Sequence, residues 1–471
     1  MRRLVAVLLV ACAAQSAALG QSGRKKKYEP PKVETPADFR SAVAPPDAQT
    51  LANAKWFEVF KDEKLQDLIR EALFHNYDLR ASVARIDAAR ASLGITRSEQ
   101  FPTIGGGANI TTQRVSRDGA FTLPEPVSQN RSFGSILTSL FSYELDIWGR
   151  LKKQTAAARA DLLASEEARR AVTTTIVSDV AASYFNLREL DFELEIARRT
   201  LASRRESLRI IKLRQERGVS NLLEVRQAEE LVYNATEVIP AVEQAIEQQE
   251  NFISLLTGRN PQPVARGAGL TEQQLPPEVP AGLPSDLLAR RPDIRSAEAE
   301  LVAADARIEV ARKAFFPRIS LTGFFGFESD SLTSLFSPSR AVWGFVPQVA
   351  QPIFTGGRLK SNVRFTQAQR DFLVVNYEQT IRNAFREVSD SLVAYRKVKE
   401  VRAQRELLVT TLRDRARLSY LRYNGGVSNL LEALDADREL FEAELSLAQV
   451  RRDELLSVVQ VYKALGGGWQ Q

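Results

Sequence analysis

Two stretches of the chain, 150–217 and 358–424, run for 68 and 67 residues without a glycine or a proline. These are the residues that break helices most readily. As continuous helix each stretch would reach roughly 100 Å at 1.5 Å per residue. Within the first, Val180, Leu187, Leu194, Leu201 and Leu208 return every seven residues. Ile176, Leu190, Ala197 and Ile211 fill much of the companion register. That spacing is a coiled-coil seam. Helices of globular cores seldom exceed about 20 residues, so the chain has to be built around two rods.

The rods belong to a tandem repeat. The heptapeptide GVSNLLE stands at 218–224 and again at 426–432, 208 positions on. Gly149-Arg150-Leu151-Lys152 matches Gly357-Arg358-Leu359-Lys360 at the same spacing. Asp78-Leu79-Arg80 and Phe101-Pro102 match Asp293-Ile294-Arg295 and Phe316-Pro317 at a spacing of 215. The chain is therefore a duplication with one loop longer in its first half.

Gly218 and Gly426 stand where a helix end favours a left-handed residue, and Ser220 or Asn221, and Ser428 or Asn429, can cap the next helix. Return helices are predicted at about 221–258 and 429–465. Another helix, at about 285–312, adds the length a return helix lacks, so two shorter helices should stack alongside one rod. Pro292-Asp293 suits a helix opening, and Asn76 and Asp78 suit the same parts in the first half.

After each Phe-Pro the period changes to two. Ile104, Ala108 and Ile110, then Leu137, Phe141, Tyr143, Leu145 and Ile147, alternate with small or polar neighbours. So do Ile319, Leu321, Phe325 and Phe327, and then Trp343, Phe345 and Val349. Four strands are predicted, at about 103–113, 132–147, 318–328 and 342–354, paired through polar loops near 114–131 and 329–340. Their length and alternation suit an outer-membrane barrel. Four strands cannot close, and bare edges cannot sit in lipid. Three copies give twelve strands, whereas two give eight, a barrel whose interior side chains fill.

These elements divide the chain into domains. Residues 1–20 form a signal peptide and 21–60 an extended periplasmic segment. The first repeat spans 61–258, a Pro/Gly-rich equatorial linker 259–284, the second repeat 285–465 and a tail 466–471. Leu9-Val10-Ala11-Cys12 fits a lipidation box, and Ala18-Leu19-Gly20 fits cleavage before Gln21; both processing routes stay open. Cys12 is the only cysteine, which excludes a disulfide. The net charge of +6 comes from arginines spread along both halves, not from a basic-aromatic cluster of the kind that binds nucleic acid. The single histidine, His75, is expected at a helix start. No metal-ligand spacing, G-x-S-x-G or phosphate loop accompanies it, so neither an enzyme nor a cofactor is expected. Met1 is the only methionine, which leaves no soft-metal relay.

Residues 283–323, LPSDLLARRPDIRSAEAELVAADARIEVARKAFFPRISLTG, resemble the NodT branch of the TolC-like outer-membrane factor family. Tyr28, Pro30, Pro31, Pro36 and Phe39 resemble its mature N-terminal segment, although Cys12 lies farther upstream than in lipidated members. The resemblance implies a mainly α fold with a β membrane part: an internally duplicated chain whose homotrimer forms a 12-stranded β-barrel and a periplasmic α-barrel. It implies a passive outer-membrane duct for small molecules in a tripartite efflux pump. Its partners would be a periplasmic adaptor (membrane fusion protein), an inner-membrane proton-driven transporter and outer-membrane lipid. By position, Gly218, Val219, Ser220, Gly426, Val427 and Ser428 would contact the adaptor. Glu224, Tyr423, Glu432 and Asp435 would form the periplasmic gate. The family's latch arginine falls at Ser428, so an ionic lock must use another partner or be absent. Carboxylates converging on a narrow axis would attract cations. The alternatives are the outer-membrane channel of a type I protein secretion system and a non-pore periplasmic coiled-coil adaptor. The four strands speak against the adaptor.

Overall fold

Each rod is one unbroken helix in the computed structural model, which describes residues 31, 35, 36, 39, 51–116, 128–274 and 280–469. Cys12, Gln21, Tyr28 and Pro30 lie outside the described residues. Met1–Val33 and Glu34–Gln471 are separate units, and the described helices and strands belong to the second. Helices α1 (Trp56–Val59), α2 (Glu63–His75) and α3 (Tyr77–Ser98) lead into strands β1 (Thr103–Arg114) and β2 (Asn130–Leu145). The first rod, α4 (Arg150–Glu216), returns through α5 (Leu222–Leu256). Helices α6 (Pro284–Arg290) and α7 (Pro292–Lys313) precede β3 (Arg318–Ser329) and β4 (Ala341–Ala350). The second rod, α8 (Arg358–Asn424), returns through α9 (Leu430–Ala464).

The rods pack as their length requires. α4 packs against α5 and, on the sheet side, against α7, so two shorter helices do lie along one rod. Its seam residues Val180, Leu187, Ala197 and Leu201 are buried. α7 is shared: it packs on α4 of the first repeat and on α8 of its own. α9 is shared in the same way, between α8 and α4. α3 and α5, the repeat counterparts of α7 and α9, pack chiefly on α4.

Three expectations need correction. The segment expected as one helix over 285–312 is two, because Arg291 is extended at φ −67°, ψ 122°, the conformation that a following proline favours. The last strand stops at Ala350, not at 354, where Pro352 offers no N–H for a ladder. His75 ends α2, and Asn76 makes the turn into α3, its side chain accepting from Asp78 N at 2.9 Å and Leu79 N at 3.2 Å.

The strands form one antiparallel sheet in the order β1-β2-β3-β4. Its middle ladder, from Leu145↔Ile319 to Gly134↔Ser329, joins the two repeats. β1 and β4 are the two edges. Ile104, Ile110, Trp343, Phe345 and Val349 are exposed. Among the described residues no helix is long and apolar enough to cross a membrane.

The chain between the repeats is tied to the first rod by one carboxylate. Buried Asp62 caps α2 and, through Oδ2, accepts from Tyr184 Oη, Ala268 N and Gln273 Nε2, each at 2.9 Å. A side chain at Gly267 would overlap that carboxylate. Burial pushes the Asp62 pKa up, but the hydrogen bonds from Gln273, Tyr184 and the α2 backbone outweigh it and hold the group below the usual carboxylate range.

Candidate functional site at the helical tips

Both rods end in the same local device. Gly218 and Gly426 adopt φ of 75° and 70°. Val219 N reaches back to Arg214 O at 2.8 Å, and Val427 N to Arg422 O at 3.0 Å. With Gly218 N on Gln215 O and Gly426 N on Tyr423 O, each end is a Schellman motif. Of the two possible caps, the asparagines act: Asn221 accepts from Glu224 N at 3.0 Å and Asn429 from Glu432 N at 3.1 Å. Ser220 and Ser428 hold buried hydroxyl oxygens without a hydrogen-bond partner among the described residues.

The two tips sit side by side. Ile211, Val225, Ala228 and Leu231 of the first hairpin share one apolar cluster with Tyr423, Leu430, Ala433 and Leu434 of the second. Tyr423 is therefore a buried member of the contact, with the Arg214 guanidinium 4.6 Å from its ring centre. Beyond the cluster, Val219 is 66% and Val427 72% exposed, a matched apolar pair on the turns. The repeat breaks three residues later in each turn: Leu430 is 1% exposed, whereas its counterpart Leu222 is 59% exposed. One side of the first hairpin lacks the neighbour that the second hairpin has.

The acidic residues are partly neutralised within their own hairpin. Asp435 pairs with Arg438 at 2.6 Å and Arg415 at 3.3 Å. Arg438 first, and Arg415 with it, hold the Asp435 carboxyl below its ordinary value. Glu432 lies 3.8 Å from Arg422. Among the described contacts Glu224 has no ion pair. An arginine partner thus exists for the second-hairpin carboxylates, although position 428, where the resemblance implied an arginine, is a serine.

A further set of residues escaped the sequence reading. Arg204 on α4 donates to Asp437 on α9 at 2.7 Å, to Leu231 O on α5 at 3.0 Å, and lies 4.9 Å from the Phe441 ring centre. Arg199 meets Glu444 at 2.7 Å, and Arg452 meets Glu189 at 3.4 Å. These contacts form a ladder joining the two hairpins. The signal for Arg204 was in the seam itself, because 204 falls in the companion register between Ala197 and Ile211.

Rod-shaped hairpins, a four-stranded sheet with two edges and paired tips define an outer-membrane channel component of an efflux pump. The chain belongs to the outer membrane efflux protein family, whose model matches residues 68–259 and 283–467. It is 40% identical over 427 residues to the solvent efflux pump outer membrane protein SrpC of Pseudomonas putida, covering 90% of each chain. It is 36% identical over 426 residues to the cation efflux system protein CusC of Escherichia coli strain CFT073, again covering 90% of each. The open-state MtrE outer membrane channel of Neisseria gonorrhoeae shares the fold with a TM-score of 0.85 and 32% identity, over 94% of this chain and 98% of that one.

Proposed function

We propose that three copies of the chain close into one passive duct that carries small molecules from the periplasm or an inner-membrane pump to the outside. The observation that carries this reading is the pair of bare edges on β1 and β4, which lipid cannot satisfy and which a β4-to-β1 contact between copies would pair. The repeat supports the same seam. Within the chain, α7 and α9 each bridge a rod of one repeat to a rod of the other. Their counterparts α3 and α5 then require α8 of a second copy. The exposed apolar residues fall where such a seam needs them: Tyr77 and Ile95 on α3, Leu222 on α5, Phe372 and Leu421 on α8.

In this assembly six tips ring the periplasmic mouth, two kinds alternating. Gly218, Val219 and Ser220, with Gly426, Val427 and Ser428, form the surface for a periplasmic adaptor, which in turn joins an inner-membrane proton-driven transporter. Glu224, Glu432 and Asp435 line the closed gate, and Tyr423 anchors it through its place in the inter-hairpin cluster. The relatives are named for solvents and cations, cargoes that favour small molecules over proteins. The duct performs no catalysis and needs no cofactor.

The test is reconstitution. The purified protein should run as a heat-modifiable trimer and pass ions through planar lipid bilayers. A water-soluble monomer without conductance would overturn the reading.

A further inference from the structure

In the first repeat, the strand leading into the rod neutralises the rod's start. Glu144 receives Arg150 through Nε at 3.2 Å and through Nη2 at 2.9 Å. Both Asp146 oxygens accept from the first turn of α4, from Leu151 N at 3.0 Å and Lys152 N at 2.8 Å. At the repeat spacing of 208, Arg150 becomes Arg358, but Glu144 becomes Pro352 and Asp146 becomes Phe354. The second copy keeps the guanidinium and loses both carboxylates. The first turn of α8 contains no acidic residue, and no side chain caps it.

The consequence is visible in a cavity of about 890 Å³ where α3, α4, α7 and α8 meet the strand ends. Four guanidinium groups line it: Arg150, Arg307, Arg318 and Arg358. Arg150 has Glu144, and Arg307 has Asp161 at 2.6 Å. Among the described residues no carboxylate pairs with Arg318 or Arg358. Asn362 of α8 lines the cavity as well and supplies a neutral donor, whereas the Thr366 hydroxyl donates back to its own helix. Beside it Ile353 and Phe354 are 92% and 90% exposed, so apolar surface adjoins the cationic wall.

We propose that this cavity binds a phosphate group, which takes the place of the two carboxylates that the first repeat supplies from the end of its own strand and the turn beyond it. Guanidinium forks match phosphate oxygens in pairs, and the uncapped start of α8 adds backbone donors and a favourable dipole. A phosphate can be shared by Arg318 and Arg358, where a single carboxylate leaves one charge unmet. The phosphate is carried either by a phospholipid of the periplasmic leaflet, whose acyl chains would cover Ile353 and Phe354, or by a soluble anion.

The full-length protein purified in detergent decides this. Thermal unfolding is followed in inorganic phosphate and in chloride of equal ionic strength, and retained phospholipids are quantified by mass spectrometry. Wild type should be stabilised by phosphate beyond chloride. The double variant Arg318→Gln/Arg358→Gln should lose roughly tenfold or more in apparent phosphate affinity, the effect of removing charge-assisted contacts. Pro352→Glu restores the carboxylate of the first repeat and should fill the site from within, with the same loss. Because it removes no partner, it decides the question even if the arginine variants fold poorly. Fewer retained anionic phospholipids in the variants identify a lipid headgroup; unchanged lipid with lost phosphate affinity identifies a soluble anion. If wild type gains no more from phosphate than from chloride and retains the same lipids as Pro352→Glu, the site does not exist.

Discussion

Arg204 on the first rod donates Nε to Asp437 on the second return helix across 2.7 Å, at a point where the arginine is 4% exposed. A charge so placed is held only by its partners, and removing one partner of a buried pair costs about 3–5 kcal/mol. Asp437→Ala should therefore lower the thermal midpoint of the trimer. It should also raise single-channel conductance, because this contact ties the α8/α9 hairpin to the first rod. Unchanged conductance would mean that the ladder is structural only.

The exposed valines of the turns should matter to partners and not to folding. Val219→Asp with Val427→Asp should leave trimer stability within about 0.5 kcal/mol, as surface changes usually do. It should abolish capture by the adaptor and restoration of drug resistance in a strain lacking the channel. Resistance equal to wild type would remove the tips from the adaptor contact.

The carboxylates proposed for the gate make a selectivity prediction. Replacing Glu224, Glu432 and Asp435 with alanine in planar bilayers should weaken cation preference, as read from the reversal potential in a salt gradient. The Glu224 change should have the larger effect per residue, since Arg438 and Arg415 already offset Asp435. An unchanged reversal potential would refute an acidic mouth.

Glu189 makes stability depend on pH. Burial, then the hydrogen bond and charge of Glu193, push its pKa up to about 8 against the pull of Arg452, with Asp453 adding to the rise. Folded Glu189 keeps its proton over a range in which the unfolded chain, titrating near the ordinary glutamate value of 4.5, has lost it. The folded state binds more protons there, so stability falls as pH rises from about 4.5 to about 8, by at most about 1.4 kcal/mol per unit. Glu189→Gln should flatten that decline and raise the unfolding midpoint at pH 8. A pH profile identical to wild type would show that Glu189 is ionised in the fold.

Asp62 has the opposite sign. Its folded pKa lies below the ordinary aspartate value of 3.8, so its contribution is present above that value and is lost as pH falls through the folded pKa. Asp62→Ala orphans donors on α2, Tyr184, Ala268 and Gln273 and should cost several kcal/mol at neutral pH, at about 1–3 kcal/mol per unsatisfied buried donor. Limited proteolysis should then cut first near 260–274.

The parts legible in the sequence were those written in neighbouring residues. The seven-residue spacing from Val180 to Leu208 fixes a rod, and Gly218 with Asn221 fixes a turn, because periodicity and capping are local. The break at Arg291 was also local, but helical periodicity on both sides masked it. What stayed hidden depends on distant partners. The β2–β3 ladder joins residues 174 to 195 positions apart, from Leu145↔Ile319 to Gly134↔Ser329, Asp62 finds its donors on three separate elements, and Tyr423 shares its buried cluster with Ile211 and Val225 of the other hairpin. Arg204 was overlooked because a seam is read by its apolar letters, and a guanidinium there is satisfied by a carboxylate 233 positions away.

The sharing of α7 between the rods has a bearing on descent. A forerunner with a single repeat would have had one kind of contact between neighbours, so it would have closed as a ring of six identical pieces that could change shape only in unison. Joining two pieces in one polypeptide let the copies drift apart: Leu222 and Leu430, Glu144 and Pro352 now do different things. Half the ring's contacts became fixed within a chain, while the other half stayed free to part.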